Sequence, residues 1–132
     1  MTQRIIDSHF HVWRQADQPW LVGPMVPRIF GPYEPIRRDY PMSEYLADRA
    51  GSGVEKAVYV QTNWAKQDFE KEAAWLQQTA DATGWPHAIV AYADMTLDDV
   101  RPQLDRLKAY PRVRGVRMQL HWHETPQFRF AA

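Results

Sequence analysis

Apolar and polar residues alternate along residues 4–13 (RIIDSHFHVW) with the period of two that a half-buried strand requires. In that register Ile5, Asp7, His9 and His11 share one face, and Ile6, Ser8, Phe10 and Val12 share the other. Three further apolar runs follow at 56–62 (KAVYVQT), 87–93 (HAIVAYA) and 113–118 (VRGVRM). Nearly continuous apolar, β-branched character marks strands buried on both faces. Between these runs the period changes to that of helices. Phe69, Ala73, Leu76 and Ala80 form one stripe over 68–83, with Asp68 placed to cap the start and Gly84 placed for a left-handed stop. A shorter helix takes Ser43 as N-cap, carries Tyr45, Leu46 and Ala50, and ends at Gly51 or Gly53. Another sets Val100, Leu104 and Leu107 inward, with Pro102 in its first turn and Asp99 as cap.

Strands two to four begin about 25–31 residues apart, the rhythm of βαβ units. The pattern therefore predicts an α/β fold with parallel strands in the order 1-2-3-4 and helices covering one face, joined by right-handed crossovers. Residues 14–41 break the rhythm with Gln18-Pro19-Trp20 and Phe30-Gly31-Pro32-Tyr33. So long a stretch inside a small domain reads either as a functional loop or lid, or as a surface insertion packing its own aromatics.

Composition narrows the class. A chain of 132 residues makes one small domain. Its 16 basic and 16 acidic side chains cancel and form no run, so it carries no electrostatic footprint for nucleic acid or an acidic membrane. The absence of cysteine excludes a disulfide scaffold, a thiolate metal site and a thiol nucleophile, and fits a cytoplasmic location. No apolar run approaches the ~20 residues of a membrane span. The carboxylate at Asp7 comes too early for a secretory signal.

The sharpest chemistry lies at the end of the first strand. His9 and His11, two apart, project from one face and suit a shared divalent cation, although a hydrogen-bonded structural pair gives the same spacing. Asp7, one step deeper, reads as a supporting acceptor for a histidine or for backbone donors. Arg117, with Gly115 and Gln119 on the parity of the fourth strand, points inward near its carboxyl end. Its fork suits a carboxylate or a polarised carbonyl, or a structural carboxylate partner. Gln61 and Asn63 end the second strand with two amides placed for a polar ligand, and His121 and His123 read as a loop lining a substrate pocket. Asp94 reads as a loop or cap residue, and the carboxylates of the helices as solvated faces.

Three stretches carry a resemblance: Ile6-Asp7-Ser8-His9-Phe10-His11-Val12-Trp13, then Tyr59-Val60-Gln61-Thr62-Asn63, then Val113-Arg114-Gly115-Val116-Arg117 with Leu120-His121-Trp122-His123-Glu124. They resemble the amidohydrolase superfamily, in the branch of predicted metal-dependent TIM-barrel hydrolases and lactonases of the fuconolactonase and pyrone-dicarboxylate lactonase kind. The resemblance implies a (β/α)8 barrel with His9 and His11 at its catalytic mouth. It further implies water attack on a lactone or related cyclic ester carbonyl. A divalent metal, zinc foremost, would sit on His9 and His11; the alternative is neutral histidines acting as donors without a metal. Arg117 would hold a substrate carboxylate or polarise the carbonyl, while Gln61, His121 and His123 shape the pocket.

A whole barrel takes about 250 residues. The resemblance spans nearly the whole chain, so residues 1–132 make a partial barrel domain, its first half. The resemblance places further histidines on strands five and six and a general-base aspartate on strand eight, so the chain by itself is expected to be inactive. Open strand edges and an inward face including Ile5, Ile89 and Ala91 predict self-association or a complementing second half. Two rivals to the lactonase reading stand: a non-catalytic half-barrel or interaction module, and a metal-dependent decarboxylase of the same superfamily.

Overall fold

Each of the four apolar runs becomes a strand: β1 (Ile5–Phe10), β2 (Val54–Val60), β3 (Ala88–Tyr92) and β4 (Val113–Arg117). The computed structural model describes residues 4–28 and 30–120. All neighbouring strands are parallel and the order is β1-β2-β3-β4, as the spacing predicts. Parallel pairing requires a crossover after each strand. Helices α2 (Met42–Asp48), α3 (Phe69–Thr83) and α4 (Arg101–Leu107) occupy the three crossovers. Residues 14–41 hold two short 3-10 turns and one helical turn, α1 (Pro19–Val22).

The core lies between the sheet and the helices. Phe10, Tyr45, Tyr59, Phe69, Leu76, Ile89 and Leu107 are buried together there. Burying such a side chain fully is worth roughly 1.5–3 kcal/mol. The stripe Phe69, Ala73, Leu76 and Ala80 is the buried face of α3, and Gly84 ends that helix at a φ of 79°. Pro102 stands in the first turn of α4, and the Asp99 carboxylate accepts the Arg101 N–H at 3.0 Å.

Several local expectations are corrected. Helix α2 starts two residues earlier than Ser43 suggests, with Pro41 at the N-cap, so Ser43 lies inside its first turn. Asp68 makes no side-chain cap bond; its carboxylate pairs instead with Lys71 at 2.7 Å. Ile89 and Ala91 face the helices, not the barrel interior. Ile89 is in register with Tyr59, whose hydroxyl bonds Glu72 of α3. The period of two then sends Val90 and Tyr92 to the other face. Ile5 remains substantially exposed, at 37%.

The sharpest correction is a bulge in β1. Asp7 is in register with Ala57 and Phe10 with Tyr59, so three steps on β1 match two on β2. The extra residue breaks the strict alternation. Asp7 therefore turns to the helix side, where its carboxylate accepts the Tyr45 hydroxyl at 2.9 Å and the His9 N–H at 3.2 Å. It supports the backbone of the histidine segment and leaves the histidine rings to other partners.

Candidate functional site

The carboxyl ends of the strands open into a cavity of about 950 Å³. In parallel α/β folds this end collects the loops that carry ligand sites. Here the loops after β1 and β2 and the residues following β4 supply most of the wall, including His11, Trp20, Gln61, Trp64, Tyr92 and Arg117.

His11 stands just beyond the bulge. Its ring nitrogen Nδ1 lies 2.7 Å from the Val60 carbonyl, which only accepts, so Nδ1 carries the proton and Nε2 keeps its lone pair. Burial pushes the His11 pKa down, against the bond to Val60, and so favours the neutral ring. His9 packs edge-on against it with ring centroids 4.9 Å apart. The shared side expected for the two histidines is thus present, with His9 exposed and His11 half-buried. A neutral imidazole whose Nδ1–H is fixed by a backbone carbonyl is the usual arrangement of a metal-binding histidine. The pair fits a divalent cation as two of its donors. No group of three or more acidic or histidine ligands occurs among the described residues.

Arg117 ends β4 beside Tyr92, its register partner on β3. Its Nη2 donates to the Gln61 carbonyl at 2.7 Å. Burial lowers its pKa from the ordinary arginine value, while Glu72 and Tyr59 favour its charged form. Gln61 is fully buried, and its Oε1 accepts the Asn63 N–H at 2.7 Å. Asn63 takes a left-handed φ of 64°, which its short amide tolerates, and donates to Gln119 at 2.6 Å. That bond ties the β2 turn to the end of β4. The two amides thus hold the cavity rim together, with Gln61 Nε2 left over. His121 and His123 lie outside the described residues.

The insertion forms one wall. Trp13 and Tyr40 pair as an antiparallel bridge at its base. Gln18, fully buried, donates to the Thr62 hydroxyl at 2.6 Å, and Trp20 Nε1 donates to the Thr62 carbonyl at 3.0 Å. Trp20, Arg28, Phe30 and Ile36 reach the cavity. Both expectations for residues 14–41 therefore meet: the segment packs its own aromatics, such as Trp20 against Tyr33, and also walls the site.

Sequence reasoning misses four residues here. Glu72, expected on a solvated face, is 2% exposed. Its Oε1 accepts the Tyr59 hydroxyl at 2.7 Å, the Thr62 N–H at 2.8 Å and the Thr62 hydroxyl at 3.2 Å. Its place one residue before Ala73 on the buried stripe is the only signal in the sequence. Trp64, Tyr92 and Arg28 are the others. Trp64 Nε1, the Tyr92 hydroxyl, Arg28 Nε, Gln61 Nε2 and Arg117 Nε are buried with no partner among the described residues, and all five residues line this cavity. Buried donors of this kind are costly unless something accepts from them. Among the described residues the lining includes no carboxylate.

Comparison with known proteins agrees with this fold. The amidohydrolase family model matches residues 6–132. An uncharacterized protein of Sinorhizobium fredii, y4mH, is 37% identical over 121 residues, which cover 90% of this chain and 41% of that protein. The crystal structure of a zinc-bound amidohydrolase from Burkholderia multivorans aligns with a TM-score of 0.61 at 27% identity, over 92% of this chain and 39% of the enzyme. The chain thus spans about two fifths of the length of these relatives. With its parallel strands, its helices on one face and its histidines at the strand ends, the chain belongs to the amidohydrolase family and forms part of that family's barrel.

Proposed function

We propose that this chain is the first portion of a hydrolase that opens a lactone or related cyclic ester by attack of water at the carbonyl. The observation that carries the reading is the gathering of Gln61, Arg117 and a lone-pair-bearing His11 Nε2 on one cavity. An ester ring presents acceptor oxygens only, which suits a guanidinium such as that of Arg117. Arg117, held by the Gln61 carbonyl, directs its remaining N–H groups at a carbonyl or carboxylate oxygen. Gln61, whose carbonyl holds Arg117, is assigned to the same ligand. His9 and His11 would hold a divalent metal, zinc in the Burkholderia relative. Bound there, it would supply Lewis-acid polarisation and a more acidic water. Aromatic walls, Trp20 and Trp64 among them, flank the place proposed for the ring.

Lactone hydrolysis, followed by acid release, tests the reading on this chain and on a form lengthened to the span of its relatives. The general base implied by the resemblance belongs to the eighth strand. The 132-residue chain is expected to be slower than the longer form by about 10²–10⁴-fold, the usual contribution of such a base. Equal rates would remove the role assigned to that base, and no turnover by either form would remove the lactonase reading.

Assembly follows from the sheet edges. Among the described residues β1 and β4 each pair on one side only, and Ile5 and Ile6 on β1 are 37% and 62% exposed. Unpaired strand edges with apolar side chains recruit other strands. Sedimentation of the purified 132-residue chain is expected to show species larger than a monomer. A monodisperse monomer at tens of micromolar would contradict this.

A further inference from the structure

One peptide group in the cavity wall is bonded at both ends by charged side chains. The N–H of the Gln61–Thr62 peptide donates to Glu72 Oε1 at 2.8 Å, and its carbonyl accepts from Arg117 Nη2 at 2.7 Å. Glu72 comes from α3 and Arg117 from β4, so the peptide is clamped between the helix layer and the fourth strand. Glu72 is 2% exposed, and its Oε1 also holds Tyr59 and the Thr62 hydroxyl. Neither Glu72 nor the peptide N–H is needed for the sheet: β2 ends at Val60, and the Thr62 N–H lies past its ladder. Glu72 does not line the cavity.

We propose that Glu72 is a positioning residue for Arg117, acting through the Gln61–Thr62 peptide that the two side chains grip from opposite ends. A carboxylate on the N–H draws charge along the amide and makes its carbonyl a stronger acceptor. That carbonyl in turn fixes one arm of the guanidinium fork, and the rest of the fork points to the ligand. Hydrogen bonds to an ionised group are about twice as strong as neutral ones, so the carboxylate holds the peptide more firmly than an amide in its place. Gln18 and Trp20 bond the same Thr62, so the insertion and Arg117 share one anchor. The functional meaning rests on Arg117 contacting the substrate, as in the hydrolase reading. The linkage itself does not.

Chemical modification reads the linkage without any turnover. Phenylglyoxal condenses with both terminal nitrogens of a guanidinium, so it reacts with Arg117 only when Nη2 leaves the Gln61 carbonyl. Arg114, exposed on the same strand, is the internal reference, and Arg112, whose Nη1 lies 3.3 Å from the His87 carbonyl, reports loss of the fold. In the native chain Arg117 is expected to react about tenfold more slowly than Arg114, as follows from one hydrogen bond of a charged donor. Glu72→Gln is expected to speed Arg117 about three- to tenfold while Arg112 and Arg114 keep their rates. Tyr59→Phe, which removes another bond to the same carboxylate but leaves the peptide gripped, is expected to leave Arg117 slow. If Glu72→Gln speeds Arg112 as well, the fold is lost and the same ratios are read on Glu72→Asp, which withdraws the carboxylate by one methylene. An Arg117 rate unchanged in the folded Glu72 variant, or raised equally by Tyr59→Phe, overturns the inference. Selective release of Arg117 in a chain whose lengthened form hydrolyses no lactone would leave it standing and the hydrolase reading fallen.

Discussion

Glu72→Ala is expected to destabilise the chain by about 3–5 kcal/mol, a loss large enough to unfold most domains of this size. The substitution strips the acceptor from the Thr62 N–H and from the Tyr59 hydroxyl, both in the dry layer between α3 and β2. Glu72→Gln keeps an acceptor in place and is expected to cost far less. The two variants also differ in pH dependence. Burial raises the Glu72 pKa above its ordinary 4.5, outweighing the bonds from Tyr59 and Thr62. A carboxyl whose folded pKa is raised gives full stability below pH 4.5 and loses it as pH climbs through the folded value. Native chain should therefore lose stability over that window, and Glu72→Gln should not. Urea denaturation at several pH values, with Glu72→Gln in parallel, measures both effects. Parallel pH profiles would show that Glu72 does not titrate with folding.

His11→Ala is expected to lower lactone hydrolysis by the lengthened form about 10²–10⁴-fold, the usual worth of a positioned histidine in such chemistry. The ring is fixed at one nitrogen by the Val60 carbonyl and presents the other. Its loss removes the best-oriented group of the site. His9→Ala is expected to be of similar size if the pair acts together, because the effects of residues acting as a unit do not add. The double variant then loses little beyond either single one, and it separates a joint site from two independent helpers. Full activity in His11→Ala would end the assignment.

Most of the scaffold was legible because its signals are local. The period of two in β1 to β4, the stripe on α3, Gly84 after it and Pro102 in α4 all depend on neighbours a few residues away. The parallel order followed from spacing alone, since a crossover of such length admits little else. The same local reading misled at Asp7, Ile89 and Ala91. Alternation assigns faces only while pairing stays in register, and the bulge after Asp7 shifts it by one; at Ile89 and Ala91 the alternation holds, and only packing against the helices decides which face they take. Ser43 and Asp68 had the side chains of caps, but Pro41 takes the N-cap of α2, and Asp68, at the N-cap of α3, gives its carboxylate to Lys71.

The sequence alone determined the chemistry on offer: two histidines on the first strand, an arginine at the end of the fourth, and no thiol or charged patch to compete. Only the tertiary structure decided how these groups are held. His11 is oriented by Val60, 49 residues away, and Arg117 by Gln61, 56 residues away. Glu72 reads as one more helix carboxylate until α3 lies against β2 and its acceptor meets Thr62. A hydrogen-bond partner is chosen by position in space, and desolvation makes that choice matter only once the layers close. Periodicity along the chain says which side chains turn inward, while the packed layers decide which of them meet.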